Sequence, residues 1–179
     1  MKNENIDRIQ RVSHKFRLLF SALIFCIPIT ILMYWLFFNH LPIGFKVELP
    51  VAVNQALPFE TLLLAFLVSL IPTSVAIYGI INLKELFKLY EKAIVFSEKN
   101  VRCFRRLGYT LIYWVVANLI FVILISIVLT FNNTQDERMI VAQFGISDFG
   151  ALIIGSVVVL ISWVMNEAAK LEDEQAHTV

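Results

Sequence analysis

Four stretches of the chain carry no charged residue: 18–38, 61–83, 107–131 and 149–166. They hold 21, 23, 25 and 18 residues. About 20 apolar residues in a helix cross a hydrocarbon core of roughly 30 Å. Leu, Ile, Val and Phe dominate, without the alternation of polar and apolar positions that marks a membrane barrel strand. Each run is therefore read as a transmembrane helix, which satisfies its backbone N–H and C=O groups internally. The first run follows a long basic leader, and no small-x-small cleavage pattern appears in 39–44. It is read as an uncleaved signal anchor rather than a removed signal peptide.

Helical spacing continues beyond these runs. In the leader, Ile6, Ile9, Val12 and Phe16 share one face, and Arg8, Arg11 and Lys15 line another. This fits an amphipathic helix lying in the headgroup layer. A solvated leader that only supplies orientation charge is the alternative. After the second run, Leu83, Leu86, Phe87, Tyr90 and Ile94 keep the period, with Lys84, Lys88 and Lys92 on a flank. Ser97 is placed as an N-cap, with Glu98 in the first turn. Val101, Phe104 and Leu107 then lead into the third run. The second helix is expected from Thr61 to about Val95, roughly 52 Å long. The expected fold is an all-α integral membrane protein. It is a four-transmembrane-helix bundle whose second and third helices extend into a cytoplasmic helical hairpin at 84–106.

Composition agrees with this reading. Of 179 residues, 59% are apolar and 16% charged, and mean hydropathy is +0.76. A soluble domain averages about 25% charged residues, and one this small has too much surface to leave so few outside. Charge sets the orientation. The leader 1–17 holds five Lys or Arg, segment 84–106 seven and the tail 167–179 one, against one each in 39–60 and 132–148. Thirteen cations against two place both termini and the middle connection in the cytoplasm. A net charge of +1 argues against nucleic acid as a direct partner.

Candidate chemistry is sparse. Cys26 and Cys103 lie far apart and are read as inert, Cys26 as a small packing residue. Palmitoylation of Cys103 is a second reading for a eukaryotic host. His40, Glu48, Glu60, Asp136, Glu137 and Asp148 fall on the outer side, match no metal-ligand spacing and are read as solvated loop charges. No ionisable Asp, Glu, Lys, Arg or His lies within the four runs, which argues against a proton- or ion-coupled transporter. Ala65, Ser69 and Thr73 form a small-residue stripe, and Ala151 and Gly155 repeat the spacing. Such stripes let helices approach closely, within one chain or across a homo-oligomer. Pro28 and Pro72 are expected to kink the first two helices.

Leu86-Phe87-Lys88-Leu89-Tyr90-Glu91-Lys92-Ala93-Ile94-Val95-Phe96-Ser97, then Asn100-Val101 and Arg105-Arg106-Leu107-Gly108, resembles the central motif of a family of small four-span bacterial membrane proteins. The terminal Leu171-Glu172-Asp173-Glu174-Gln175-Ala176-His177-Thr178-Val179 is similar to its closing motif. The family is domain-of-unknown-function family 2975. Two positions depart from its pattern. Ala93 stands where Gly is expected, which suggests a less sharply turned hairpin, and Ala176-His177 replaces an Asp-hydrophobic pair. The resemblance implies a bacterial inner-membrane protein, often encoded beside a small helix-turn-helix regulator, and supplies no catalytic residue and no cofactor.

The leading functional expectation is a non-enzymatic membrane protein with a regulatory, sensory or partner-docking role. The alternative is a small transporter or channel for an uncharged or lipid-like solute. An enzyme is disfavoured, because no nucleophile–base pair or phosphate-cradling Gly loop is present. The candidate interaction surface is Lys84, Lys88, Lys92, Lys99, Arg102, Arg105 and Arg106 on the hairpin, with Glu172, Asp173 and Glu174 on the tail. Its expected partners are anionic headgroups and a cytoplasmic protein such as that regulator.

Overall fold

All regular structure among the described residues is helical. The computed structural model describes residues 2–42, 47, 49–53, 55–94, 97–131, 133 and 138–176, with side chains described within 7–168. The helices are α1 (Lys2–Phe37), α2 (Phe59–Glu91), α3 (Glu98–Thr130) and α4 (Ile146–Ala176), with a 3-10 turn at Phe38–His40. All four contain a stretch long and apolar enough to cross a membrane, so the chain is a multi-pass membrane protein. The helices are 36, 33, 33 and 31 residues long, or about 46–54 Å. They overshoot a hydrocarbon core of about 30 Å. The excess lies at the end that carries the chain termini and the α2–α3 turn, here termed the basic end. The opposite, loop end carries the other two connections.

The helices run up and down in chain order. α1 packs on α2, α2 on α3, and α3 on α4. Among the described residues α1 makes no comparable contact with α3 or α4, so a gap separates α1 from α3 above the floor formed by α2.

Polarity is distributed as a bilayer demands. Phe25, Ile29, Leu64, Val116, Ile153, Ile154 and Trp163 face outward, while Ser69, Thr73, Asn82, Thr110, Ser126, Thr130 and Ser162 are buried. The hydroxyls bond back to their own helices: Ser69 Oγ donates to the Ala65 carbonyl, Thr73 Oγ1 to Ser69, and Thr130 Oγ1 to Ser126. Being small and self-satisfied, they let the helices approach at no cost in unpaired groups. Ala65, Ser69 and Thr73 are all buried within the chain, so this stripe packs intramolecularly.

At the loop end, Trp35, Phe38, Leu62, Ala65, Ile125 and Leu129 form the apolar core. Trp35 Nε1 donates to Ser69 Oγ at 2.9 Å, pinning α1 to α2. The first connection folds onto this core through Leu49, Val53 and Leu57. Asn39 holds it with two bonds to the Leu57 backbone, at 2.9 and 3.0 Å.

α3 and α4 approach closely at a pair of glycines. A Cβ on Gly108 would meet the Gly155 carbonyl oxygen at 2.8 Å and Val159 at 2.7 Å; one on Gly155 would meet the Gly108 carbonyl oxygen at 2.8 Å. Backbones touch here, as in small-residue membrane interfaces.

Several expectations are corrected. The leader is not a separate surface helix. No Gly or Pro interrupts 7–27, and α1 continues through it unbroken to Phe37. Phe16 stacks on Phe87 of α2 with centroids 5.0 Å apart, and Phe20 meets the same ring in a tilted contact at 5.5 Å, which holds this segment alongside α2. α2 ends at Glu91, short of Val95; Val95 itself lies outside the described residues. Cys26 is exposed rather than packed.

The largest departure is the third connection. Val141 N–H donates to Ser126 Oγ at 3.0 Å, and Met139 N–H lies 3.4 Å from Thr130 Oγ1. The chain therefore runs back along α3 before α4 begins. Gly155 packs against Leu111 and Ile112, so Asp148, seven residues earlier and about 10 Å away along α4, is level with the neighbourhood of Asn118. That is the middle of the 107–131 run. Asp148 is thus no solvated loop charge but is 8% exposed. Its carboxylate accepts the Gly145 N–H at 2.8 Å, capping the start of α4. Glu48, Asp136 and Glu137 lie outside the described residues; His40 and Glu60 are exposed.

The α3–α4 contact yields a direct test. Gly108→Ala and Gly155→Ala should each destabilise the purified protein by about 1–3 kcal/mol through overpacking. Gly150→Ala, whose Cβ would meet nothing within 4 Å, should be neutral or stabilise by up to about 1 kcal/mol. Denaturant titration in detergent, followed by circular dichroism, measures all three.

Candidate functional site

The hairpin between α2 and α3 turns within a few residues because both helix ends are capped. At the end of α2, Ala93 N–H donates to the Tyr90 carbonyl and Ile94 N–H to the Leu89 carbonyl, the paired bonds of a Schellman motif. That motif needs a left-handed residue, and Ala93 takes it at φ 59°. The turn is therefore as sharp as a Gly would allow, contrary to the looser hairpin expected from the sequence. Ala bears a steric penalty for it that Gly would not.

At the start of α3, Ser97 is the N-cap and its Oγ accepts from Asn100 N–H, as the sequence predicted. Asn100 carries more than its place in the motif suggested. It is fully buried, its Nδ2 donates to the Ile94 carbonyl at 3.0 Å, and its Oδ1 accepts from Ser97 Oγ at 3.0 Å. One side chain thus ties the end of the turn to the start of α3. Short polar side chains are common near caps, so composition alone did not single it out.

These two rigid ends hold a hollow of about 410 Å³ lined by Glu85, Lys88, Leu89, Lys92, Lys99, Arg102, Cys103 and Arg106. Five of the seven predicted basic residues meet there. Lys84, one turn nearer the apolar run, and Arg105, on another side of α3, do not line it. Glu85 is the one carboxylate in the lining, 3.6 Å from Arg106. Both of these are about half exposed, so the pair contributes little to stability. The hollow remains strongly positive. Burial, and secondarily the Glu85 charge, push the Cys103 thiol above its ordinary value, so it is held as an unreactive thiol. Glu172, Asp173 and Glu174 belong to the last turns of α4, but their side chains lie outside the described residues.

α1 adds a second contact beside the hollow. Glu91 at the end of α2 accepts from His14 Nδ1 at 2.8 Å and Arg17 Nε at 3.0 Å. The His14 hydrogen bond and then the Arg17 charge hold the Glu91 carboxyl below the usual carboxylate range. Beside the packed Phe16, Phe20 and Phe87 rings, this cluster docks the leader onto the hairpin. Among the described residues no three His, Cys, Asp or Glu side chains are grouped to hold a metal ion.

Two outcomes follow. Ala93→Gly should stabilise the protein by about 1 kcal/mol by relieving the left-handed alanine, measured by the same denaturant titration. Because the folded-state value of Glu91 is depressed, its contribution is present above the ordinary carboxylate value and is lost as pH falls through the folded one. Glu91→Gln should therefore lower the amide protection factors, which are free of the intrinsic pH dependence of exchange, across residues 7–17 at neutral pH. Acidification that protonates Glu91 should do the same in the parent and add nothing in the variant.

Comparison with curated proteins and with solved structures gives no match. One family profile matches, described as "Protein of unknown function (DUF2975)", over residues 18–179. That interval contains all four apolar runs, the hairpin and the tail, and the chain belongs to this family.

Proposed function

We propose that this is a non-enzymatic docking protein of the bacterial inner membrane, with both termini and the hairpin in the cytoplasm. Its basic hollow receives an acidic segment of a cytoplasmic regulator. The observation that carries the reading is the gathering of Lys88, Lys92, Lys99, Arg102 and Arg106 around one concavity with a single opposing carboxylate. Cations scattered on a solvated surface would serve orientation alone. Two capped helix ends that hold them in fixed relation form a complementary field for an anionic partner, which favours encounter and register. The cytoplasmic placement rests on thirteen Lys and Arg at this end against two at the other. The non-enzymatic reading is supported by the buried thiol of Cys103 and by the spending of Asp148 on its own helix cap.

The test is affinity recovery from cells of the tagged full-length chain, beside a Lys88→Glu, Lys99→Glu, Arg102→Glu variant. A stoichiometric acidic partner should be recovered with the parent and reduced more than about tenfold with the variant, at equal membrane content. Recovery unchanged by charge reversal, or no stoichiometric partner, rejects the reading. Loss of binding to vesicles rich in anionic lipid, with no protein partner, would assign the hollow to headgroups instead.

A further inference from the structure

The gap between α1 and α3 contains a cavity of about 730 Å³, within the range of small-molecule sites. Its floor is α2 at Ser69, Pro72, Thr73 and Ala76; its walls are α1 at Thr30 to Trp35 and α3 at Trp114 to Val122; Leu49 and Pro50 cover it at the loop end. Asn118 is at the middle of the 107–131 run, so the cavity lies at bilayer depth. It is open on the side where α1 and α3 fail to meet.

The polar groups of this cavity fall into two sets. Ser69 and Thr73 are occupied with their own helix and with Trp35. The Asn118 and Gln143 side chains, in contrast, make no hydrogen bond to any described residue. Gln143 reaches the cavity because the third connection runs back along α3. Two carboxamides left without partners at hydrocarbon depth are costly, and each offers both donors and an acceptor. The Tyr34 hydroxyl adds a third group. It lies near the Val47 backbone but reaches no partner with hydrogen-bond geometry. Around these stand the aromatic faces of Tyr34, Trp35, Trp114 and Phe121. None of the described lining residues carries a charge.

We propose that this cavity is a binding site for an uncharged aromatic amphiphile that enters sideways from the bilayer, stacks on Trp114 and Tyr34, and hydrogen-bonds to Asn118 and Gln143. The absence of a charged side chain from the lining selects against ions, because an unpaired charge at this depth has no counter-ion. The apolar walls select against fully polar solutes. The site is independent of the basic hollow at the other end of the helices.

The test uses a matched pair of probes with the protein in phosphatidylcholine nanodiscs. N-phenyl-1-naphthylamine is neutral and carries an N–H donor; 1-anilinonaphthalene-8-sulfonate has a closely related ring system with a fixed charge. Energy transfer from tryptophan should show saturable binding of the neutral probe, one per chain, absent from empty nanodiscs. The charged probe should bind at least about tenfold more weakly. Asn118→Leu should weaken the neutral probe about tenfold through the lost hydrogen bond. Ala76→Trp should abolish binding by filling the cavity, with the thermal midpoint unchanged. No saturable component above empty nanodiscs, equal binding of both probes, or full binding in Ala76→Trp overturns the proposal. Unaltered affinity in Asn118→Leu overturns its hydrogen-bonding part even if Ala76→Trp fails to fold.

Discussion

Every backbone polar group that this chain carries into hydrocarbon must find its partner inside the protein. That single constraint organises the structure. It explains why buried hydroxyls turn back onto their own helices at Ser69, Thr73 and Thr130, and why large apolar side chains point outward. With no gain from burying apolar surface against more apolar surface, the helices associate by close contact. Gly108 and Gly155 provide one such contact, and their carbonyls leave no room for a Cβ on the opposing residue.

The same constraint explains the third connection. An extended segment at bilayer depth is tolerated where its N–H groups are satisfied by protein. Ser126 and Thr130 of α3 lie against Val141 and Met139 N–H, and Asp148 receives the N–H of Gly145. The arrangement moves the start of α4 toward the basic end and carries Gln143 into the cavity beside Asn118. Two regions of the molecule are thereby different in kind. The basic end presents rigidly held cations to water, and between it and the loop end an open cavity gathers neutral amides and aromatic rings at bilayer depth.

The hairpin shows how far local rules reach. Its existence, its basic flank and the Ser97 cap were legible from periodicity and cap chemistry. The sharpness of the turn was not, because an alanine occupies a position that usually calls for glycine. Neighbouring contacts impose the left-handed conformation there: Asn100 holds the Ile94 carbonyl, and the Schellman bonds close on Leu89 and Tyr90. Of the predicted cations, Lys88, Lys92, Lys99, Arg102 and Arg106 converge on the α2–α3 hollow. Lys84 lies a turn nearer the apolar run, and Arg105 is on another side of α3, since which side of a helix meets its neighbour is settled by packing.

The sequence by itself determined the number of apolar helices, their approximate limits, the charge asymmetry between the two ends and the helical extensions beyond the membrane. These follow from hydropathy and the 3.6-residue period, which are properties of single segments. Tertiary structure alone decided that the leader continues α1 and docks through Phe16, His14 and Arg17, since its amphipathic pattern suits a lipid surface and a neighbouring helix equally. It alone decided that Asp148 is buried, because hydropathy cannot register an extended segment whose hydrogen bonds come from another helix. It alone opened the cavity between α1 and α3, because a gap between helices depends on which pairs make contact and is written in no single stretch of the chain.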